Sequence, residues 1–309
     1  MEPIKEPTPL VLVTSSPHMH CGLTIGKSMR EVMLALVPAI IASVYYFRMS
    51  AAIVMVTCVV SAIVFETICN KVMHKPNTVQ DGSAALTGLL LAMCLPASMP
   101  PLFAAMGSMF AIVVGKAVFG GLGCNIFNPA HIGRAILLAS FPQQMTNWVL
   151  PATAAASDAV STATPLAVMR ATEKIWQAGG AASAAKLPDL MNLFWGNVGG
   201  SLGETCVPAL VLGGLYLIYK KLIDWRIPVF YLVTVAILTG VYGAVMGYPS
   251  TFPLYHLFAG GLMIGAFFMA TDWVTSPITK KGKIIYAIGL GVLTSLIRLR
   301  GSYTEGVCY

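Results

Sequence analysis

The sequence predicts an all-α polytopic membrane protein with about ten transmembrane helices, arranged as two inverted five-helix repeats. First, 57% of the 309 residues are hydrophobic and only 10% are charged, whereas soluble domains average about 25% charged residues. Second, apolar segments follow one another along most of the chain. Third, the pattern of these segments recurs once. The net charge of +7 fits Lys and Arg gathered in loops on one side of a lipid bilayer, so no nucleic-acid partner is expected.

Nine apolar segments are expected to form helices, and several are shorter than the ~20 residues that a spanning helix needs. They lie at 32–47, 51–68, 84–96, 102–119, 130–141, 206–219, 228–247, 255–271 and 284–297. Segments 84–96 and 130–141 are the shortest, and both are bounded by proline. Each of these two is therefore expected to be broken or to cross half of the bilayer.

The first four segments recur after a polar loop at an offset of about 177 positions. Segment 51–68 maps onto 228–245, and segment 84–96 maps onto 261–273. The fifth segment would map beyond Tyr309, so we expect the tenth helix to be missing from this sequence. An odd number of helices per repeat turns the second half upside down, which is an arrangement known from transporters.

These assignments divide the chain into an N-terminal segment (1–29), a first repeat (30–141), a polar loop (142–205) and a second repeat (206–309). With a cytoplasmic N-terminus, the inner loops hold eleven Lys and Arg and the outer side holds six. This balance places the loop outside a bacterial or archaeal cytoplasmic membrane. One re-entrant segment would reverse the assignment.

The seven cysteines contain no Cys-x-x-Cys pair and are odd in number. This scatter argues against a disulfide framework and against an iron–sulfur cluster held by this chain alone. No metal site is expected.

The polar loop carries the run Asp158-Ala-Val-Ser161-Thr162-Ala163-Thr164. Taken alone, such a run of small residues is most often a flexible linker. However, Asp158-x-x-Ser161-x-Ala163-Thr164 resembles the flavinylation motif D-x-x-[ST]-x-A-T. That motif belongs to the family formed by the D subunits of Rnf complexes and the homologous B subunits of sodium-pumping NADH:quinone reductases.

The resemblance extends over the whole chain through short motifs in the family's order. They are Thr14-Ser15-Ser16-Pro17-His18, Asp81-Gly82-Ser83-Ala84, Thr87-Gly88, Asn128-Pro129-Ala130, Gly133-Arg134-Ala135, Ala270-Thr271-Asp272, Thr275-Ser276-Pro277 and Gly301-Ser302-Tyr303-x-Glu305-Gly306. The short N-terminal extension makes the chain more similar to the Rnf members than to their homologues.

The resemblance implies a covalent FMN whose phosphate is esterified to Thr164 by a separate flavin transferase. Thr162 is a weaker candidate acceptor, and Asp158 and Ser161 would help the transferase to recognise the loop. The family also implies a second, non-covalent flavin, riboflavin. A hydroxyl is a competent phosphoryl acceptor, and the flavin would perform the redox chemistry while the protein positions it.

Five polar residues are expected at membrane depth, and they permit two interpretations. Asn125, Asn128 and Arg134 lie between the fourth and fifth segments, and Asp272 and Thr275 end the eighth. Either they cap helices and form turns, or they line the pocket of the second flavin. The second interpretation rests on the rule that polar groups buried in a membrane are costly and therefore tend to be functional. Asn125, Asn128 and Asp272 are the candidates for the polar edge of the flavin ring. Arg134 either neutralises the FMN phosphate or caps a half-helix.

Glu31 and Glu66 also lie at or inside apolar helices. Either each carboxylate reaches water or a lysine, or it takes part in ion movement.

The family resemblance implies a membrane electron-transfer subunit of an H⁺- or Na⁺-translocating ferredoxin:NAD oxidoreductase complex. Its partners would be the A, B, C, E and G subunits of that complex, the flavin transferase and the lipid bilayer. No catalytic acid–base pair is expected in the chain itself. Two alternatives remain, namely an inverted-repeat solute transporter or channel without a redox role, and a structural scaffold for redox partners.

Overall fold

The structure is a computed structural model that describes residues 24–151, 161–177, 187–204, 206–301 and 305–307. Helices form most of it. They are α1 (Ile25–Val72), α2 (Ser83–Met93), α3 (Pro101–Ile112), α4 (Pro129–Ser140), α5 (Pro142–Met145), α6 (Pro165–Gln177), α7 (Leu190–Trp195), α8 (Val207–Tyr219), α9 (Arg226–Met246), α10 (Phe252–Phe258), α11 (Leu262–Ile264) and α12 (Lys280–Arg300). Each predicted apolar segment falls on one or more of these helices.

Helix α1 contains the first two predicted segments. Its 48 residues correspond to about 72 Å at 1.5 Å per residue, more than twice the ~30 Å core of a bilayer. Arg48 interrupts the helix, because its φ of 52° and ψ of −134° are not helical. Each half is long enough to cross a membrane.

The first half continues with three short helices. Helix α3 runs on as a π-helix over Val113–Ala117. The two short segments predicted at 84–96 and 130–141 form α2 and α4, which have 11 and 12 residues and are continuous. A glycine brings α2 close to α1: a Cβ at Gly88 would lie 2.6 Å from the Cys58 carbonyl oxygen, the small-residue packing typical of membrane bundles.

The break that the sequence suggested for α2 or α4 occurs instead in the second half. The predicted segment 255–271 is divided into α10, α11 and a π-helix over Gly265–Met269. The two parts meet at 65°. Gly260 stands at the bend with φ of +71°, a conformation that side-chain-bearing residues rarely adopt.

The order of elements repeats at about 177 positions. Helix α8 matches the first half of α1, α9 the second half, α11 with its π-helix matches α2, and α12 matches α3. The packing follows the same order, since α1 packs on α3 and α9 packs on α12. The inversion of one half relative to the other stays a prediction.

By length and composition, three helices among the described residues can cross a membrane: α1, α9 and α12. The bent pair α10–α11 would make a fourth. Helices α2, α3 and α8 are apolar but shorter. One buried cluster joins the halves, with α1 and α2 packing against α8 and the π-helix that follows α11.

The segment 142–205, predicted as a loop, contains regular structure. It holds α5, a short antiparallel pair of β1 (Trp148–Val149) with β2 (Ser161–Thr162), α6 and α7. The signal for α6 is Pro165 at its first position followed by buried Leu166 and Met169, three residues apart. This is the spacing of an amphipathic helix, and Thr/Ala-rich flanking sequence conceals it.

Candidate functional sites at the two ends of the bundle

Two polar regions lie at opposite ends of the helices. One, here called the loop end, is where α5, α6 and α7 cover the bundle. The other, the cavity end, is formed where α1 and α4 begin and where α3 and α8 end.

At the loop end, Thr164 caps the N-terminus of α6. Its Oγ1 accepts a hydrogen bond from the backbone N–H of Ala167 at 3.2 Å, and its carbonyl oxygen accepts one from Val168 at 3.0 Å. Pro165, which lacks an N–H, occupies the first helical position. Only 6% of Thr164 is exposed.

Helix α6 is packed firmly onto the bundle. Leu166 lies in a buried cluster with Leu193 of α7 and Ala259 at the end of α10. At the other end of the helix, the rings of Trp176 and Tyr248 are 4.8 Å apart. Thr164 therefore has a defined position relative to the membrane helices.

One arginine of α12 lies beside the first turn of α6, and another belongs to α6 itself. A Cβ at Gly260 would be 2.7 Å from Leu166 and 3.0 Å from Nη2 of Arg298, so Arg298 lies beside the start of α6. Arg170 donates to the carbonyl oxygen of Gly301. Arg134 is the sixth residue of α4 and pairs with Glu305, so it does not cap that helix.

This end suits an anionic group on Thr164. A helix N-terminus presents backbone N–H groups and a partial positive charge, and Arg298 adds a full charge nearby. Burial of the hydroxyl has a second consequence: the acceptor is inaccessible to another protein while α6 is docked. Of the other motif residues, Asp158 lies outside the described residues. Ser161 and Thr162 are described as the backbone of β2.

At the cavity end, a cavity of about 520 Å³ opens among the helices. Both halves of the chain line it: Asn128 comes from the start of α4 and Asp272 from the segment after α11. Two of the predicted pocket residues, far apart in sequence, therefore share one cavity. Residues of both π-helices, Lys116 and Phe268, also line it, and π-helices are frequent at functional sites.

The other predicted pocket residues support this wall rather than line it. Asn125 donates from its amide to the carbonyl oxygen of Phe127 at 3.1 Å. Thr275 donates to Asp272 at 3.3 Å. Burial raises the pKa of Asp272, and the hydrogen bonds from Thr275 and neighbouring backbone N–H groups oppose that rise. Asn128 uses its side-chain oxygen to cap α4, at 3.0 Å from the N–H of Ala130, so its amide nitrogen is the atom that can donate into the cavity.

A buried ion pair that sequence reasoning missed lies in the same wall. Lys116 Nζ is 2.9 Å from both carboxylate oxygens of Glu66 and 2.6 Å from Oγ of Ser83. Thr78 donates to Glu66 at 2.7 Å. Glu66 therefore contacts a lysine, which is the first of the two interpretations given for its position. The available signal was a charged residue, Lys116, inside an otherwise apolar segment.

Glu31 also lies near a lysine, Nζ of Lys220 at 3.8 Å, and accepts a hydrogen bond from Tyr216. In the described ranges, His, Cys, Asp and Glu side chains form no group of three that could hold a metal ion.

Comparison with known proteins finds relatives that match over nearly the whole chain. A sequence model of the NQR2, RnfD, RnfE family matches residues 12–309. The D subunit of the proton-translocating ferredoxin:NAD(+) oxidoreductase complex of Clostridium ljungdahlii is 51% identical over 300 residues, covering 96% of this chain and 89% of that protein. Its Na(+)-translocating counterpart from Acetobacterium woodii is 44% identical, with coverage of 96% and 88%. The D subunit of the ion-translocating oxidoreductase complex of Rhodobacter capsulatus is 40% identical, with coverage of 93% and 85%.

Proposed function

Since the chain belongs to the NQR2, RnfD, RnfE family, we propose that it is the D subunit of an ion-translocating ferredoxin:NAD⁺ oxidoreductase complex, in which it carries electrons through the membrane on flavins. The observation that carries this proposal is Thr164, which ends the motif Asp158-x-x-Ser161-x-Ala163-Thr164. This threonine is held at the N-terminus of a helix packed on the membrane bundle.

FMN on Thr164 would have a fixed position because α6 has one. Its phosphate would replace the hydroxyl as the group at the helix N-terminus, where backbone N–H groups and the helix dipole favour negative charge. The Arg298 guanidinium beside the first turn adds to that field. Bound FMN supplies redox chemistry, while the chain determines where its ring stands and how its phosphate is neutralised.

The cavity end would hold the second flavin, riboflavin. Its volume of about 520 Å³ lies within the ~300–1,000 Å³ usual for cofactor pockets. The amide nitrogen of Asn128 and the carboxylate of Asp272 are a donor and an acceptor from the two halves of the chain, which suits the mixed donor and acceptor edge of an isoalloxazine. Apolar side chains such as Phe268, Leu90 and Ile112 line the remaining wall.

Two flavins at opposite ends would let the protein pass electrons between partners on the two membrane faces. The partners are the A, B, C, E and G subunits of the complex, and a flavin transferase is needed for maturation. We place the complex in the cytoplasmic membrane with the N-terminus of this chain in the cytoplasm, following the Lys and Arg distribution. The coupling ion is H⁺ or Na⁺, since relatives named for each are similar over the same share of the chain.

In-gel fluorescence tests the proposal. The chain is expressed with its complex and flavin transferase, denatured, separated by electrophoresis and viewed under ultraviolet light. We expect a yellow-green band for the wild type and none for Thr164→Ala, whereas Thr162→Ala stays fluorescent. A dark wild-type band, with the flavin transferase active on other subunits, would favour a solute transporter or a scaffold instead.

The cavity has its own test, which uses flavin released by acid from the folded complex. Asp272→Leu should lower the amount of extractable riboflavin severalfold and leave the covalent fluorescence unchanged. Glu31→Gln is the matched control, because Glu31 is not among the cavity-lining residues. Equal riboflavin in both variants would remove Asp272 from the flavin site.

A further inference from the structure

A carboxylate of α6 and an imidazole of α10 face each other two to three turns along α6 from Thr164. Oε1 of Glu173 is 3.9 Å from Nε2 of His256, and the side chains are 9% and 3% exposed. Among the described residues, neither ring nitrogen of His256 has a hydrogen-bond partner. Glu173 belongs to α6 and His256 to α10, so the pair spans the contact between the proposed flavin-bearing helix and the bent membrane helix.

Aromatic rings enclose this contact. Phe252 stacks edge-on against His256 at 4.7 Å, and Tyr248 lies 5.1 Å from Phe252. Trp176, one turn beyond Glu173, lies 4.8 Å from Tyr248. Water is largely excluded here, so a charge on Glu173 would be poorly solvated.

The charged groups around the pair determine which member holds a proton. Arg298 of α12 donates to the carbonyl oxygen of His256, and this positive charge opposes a second one on the imidazole. Arg170, on the same helix as Glu173, favours the carboxylate form. Tyr242 of α9 feels the charges of both Glu173 and Arg300. Burial outweighs Arg170 and raises the pKa of Glu173 to about 7.

We propose that Glu173 and His256 form a proton-binding site that fastens α6 to the bundle. With a proton on Glu173 the pair is neutral, and His256 offers a ring nitrogen as its acceptor. Loss of that proton leaves a carboxylate in an apolar contact and favours release of α6 into water. The site itself does not depend on a flavin.

Release of α6 has one consequence that rests on the proposed function. Thr164 is buried while α6 is docked, and undocking would expose its hydroxyl to the flavin transferase. The proton site would then control when the acceptor can be modified.

The direction of the pH dependence follows from linkage. The carboxyl of Glu173 has a pKa of 4.5 in water and of about 7 in the docked helix. Docking is therefore strongest below pH 4.5, weakens as pH rises through 7, and changes little above that. Between pH 5 and 8 these values correspond to a roughly seventyfold rise in the opening of α6.

Hydrogen–deuterium exchange of the peptide 165–177 tests this proposal on the purified complex. After correction for the intrinsic rate, wild-type exchange should rise roughly seventyfold from pH 5 to pH 8. Glu173→Gln, which stays neutral, should remain protected throughout. Lys174→Gln, which changes an exposed neighbouring charge, should behave like the wild type.

If the protection of peptide 165–177 in the wild type does not vary with pH, the proposal is overturned. That result can be obtained with the wild-type protein alone. An equal pH dependence in Glu173→Gln would overturn it as well. Persistent low protection in that variant would also contradict it, because an ionised pair would then be holding the helix. Because exchange does not require a flavin, a complex without FMN that still shows the titration would refute the proposed function alone.

Discussion

At the scale of single residues, one oxygen of Thr164 has two uses. In the docked helix it accepts a hydrogen bond from Ala167, and it is also the proposed site of the FMN phosphoester. A transferase cannot reach it in that state, so modification has to precede docking or follow release of α6. Afterwards, phosphate oxygens can accept the backbone hydrogen bonds that the hydroxyl oxygen accepted.

Substitutions at Thr164 separate these two uses. Thr164→Ala should weaken the α6 cap by about 1 kcal/mol, too little to prevent assembly, yet abolish ferredoxin-to-NAD electron transfer by removing the FMN tether. Thr164→Ser keeps both cap and hydroxyl and should retain much of the activity. The measurements are subunit content and electron transfer of the purified complexes. Near-normal transfer in the flavin-free Thr164→Ala complex would remove FMN from the electron path.

A second prediction at this scale concerns the contribution of the buried Lys116–Glu66 ion pair to stability. Replacing it by Met leaves the Glu66 carboxylate buried without its cation, a change that typically costs about 3–5 kcal/mol. Thermal unfolding in detergent should show a clearly lower midpoint for Lys116→Met, partly restored by adding Glu66→Gln. Lys75→Met is the matched control, since Lys75 is exposed and donates to the carbonyl oxygen of Gly120. A midpoint equal to the wild type would mean that the pair contributes nothing.

At the scale of elements, apolar segments were predictable and their irregularities were not. Segment length and composition identify α9 and α12 within a few residues, because lipid demands long apolar helices. The bend at Gly260 escaped prediction, since other glycines in apolar segments, such as Gly289, lie inside continuous helices. Only tertiary contacts distinguish them: a Cβ at Gly260 meets Leu166 and Arg298, whereas one at Gly289 meets nothing within 4 Å.

The same reasoning applies to the sites. That Asn128 and Asp272 line one cavity could be anticipated from the family motifs and from polarity in apolar surroundings. A lysine partner for Glu66 was one of two interpretations, but Lys116 could not be identified as that lysine, because it lies on a π-helix that no local pattern marks. Helix α6 was hidden by the Ser/Thr/Ala run before it, whose composition is typical of a linker.

A substitution at Gly260 tests whether the bend between α10 and α11 supports the packing of α6. Gly260→Ala combines a strained φ of +71° with a Cβ only 2.7 Å from Leu166. The contact of α6 with the bundle at Leu166 should therefore weaken, and α6 should become sensitive to protease. Gly289→Ala is the control and should be neutral or slightly stabilising, because alanine is the better helix former. Limited proteolysis followed by mass spectrometry of the α6 region gives the comparison. Equal resistance in both variants would show that the bend does not support α6.

At the scale of the whole molecule, we expect α6 and the cavity to lie at opposite membrane faces. Two cysteines test this in an otherwise cysteine-free protein: Ala171→Cys on the exposed side of α6, and native Cys124 beside the cavity, which is also exposed. An impermeant thiol reagent should label position 171 from outside intact cells and Cys124 only in inverted vesicles. Labelling of both from one side would refute the two-ended arrangement.

We propose above all that this single chain carries one covalent flavin at the loop end and one extractable flavin at the cavity end. Flavin analysis of the isolated chain is the decisive measurement, with acid-extractable and peptide-bound fractions separated and the latter mapped by mass. We expect riboflavin in the first fraction and FMN in the second, attached to the peptide at Thr164. Bound FMN at Thr162 or elsewhere, or no flavin in either fraction of a transferase-competent preparation, would contradict the proposal.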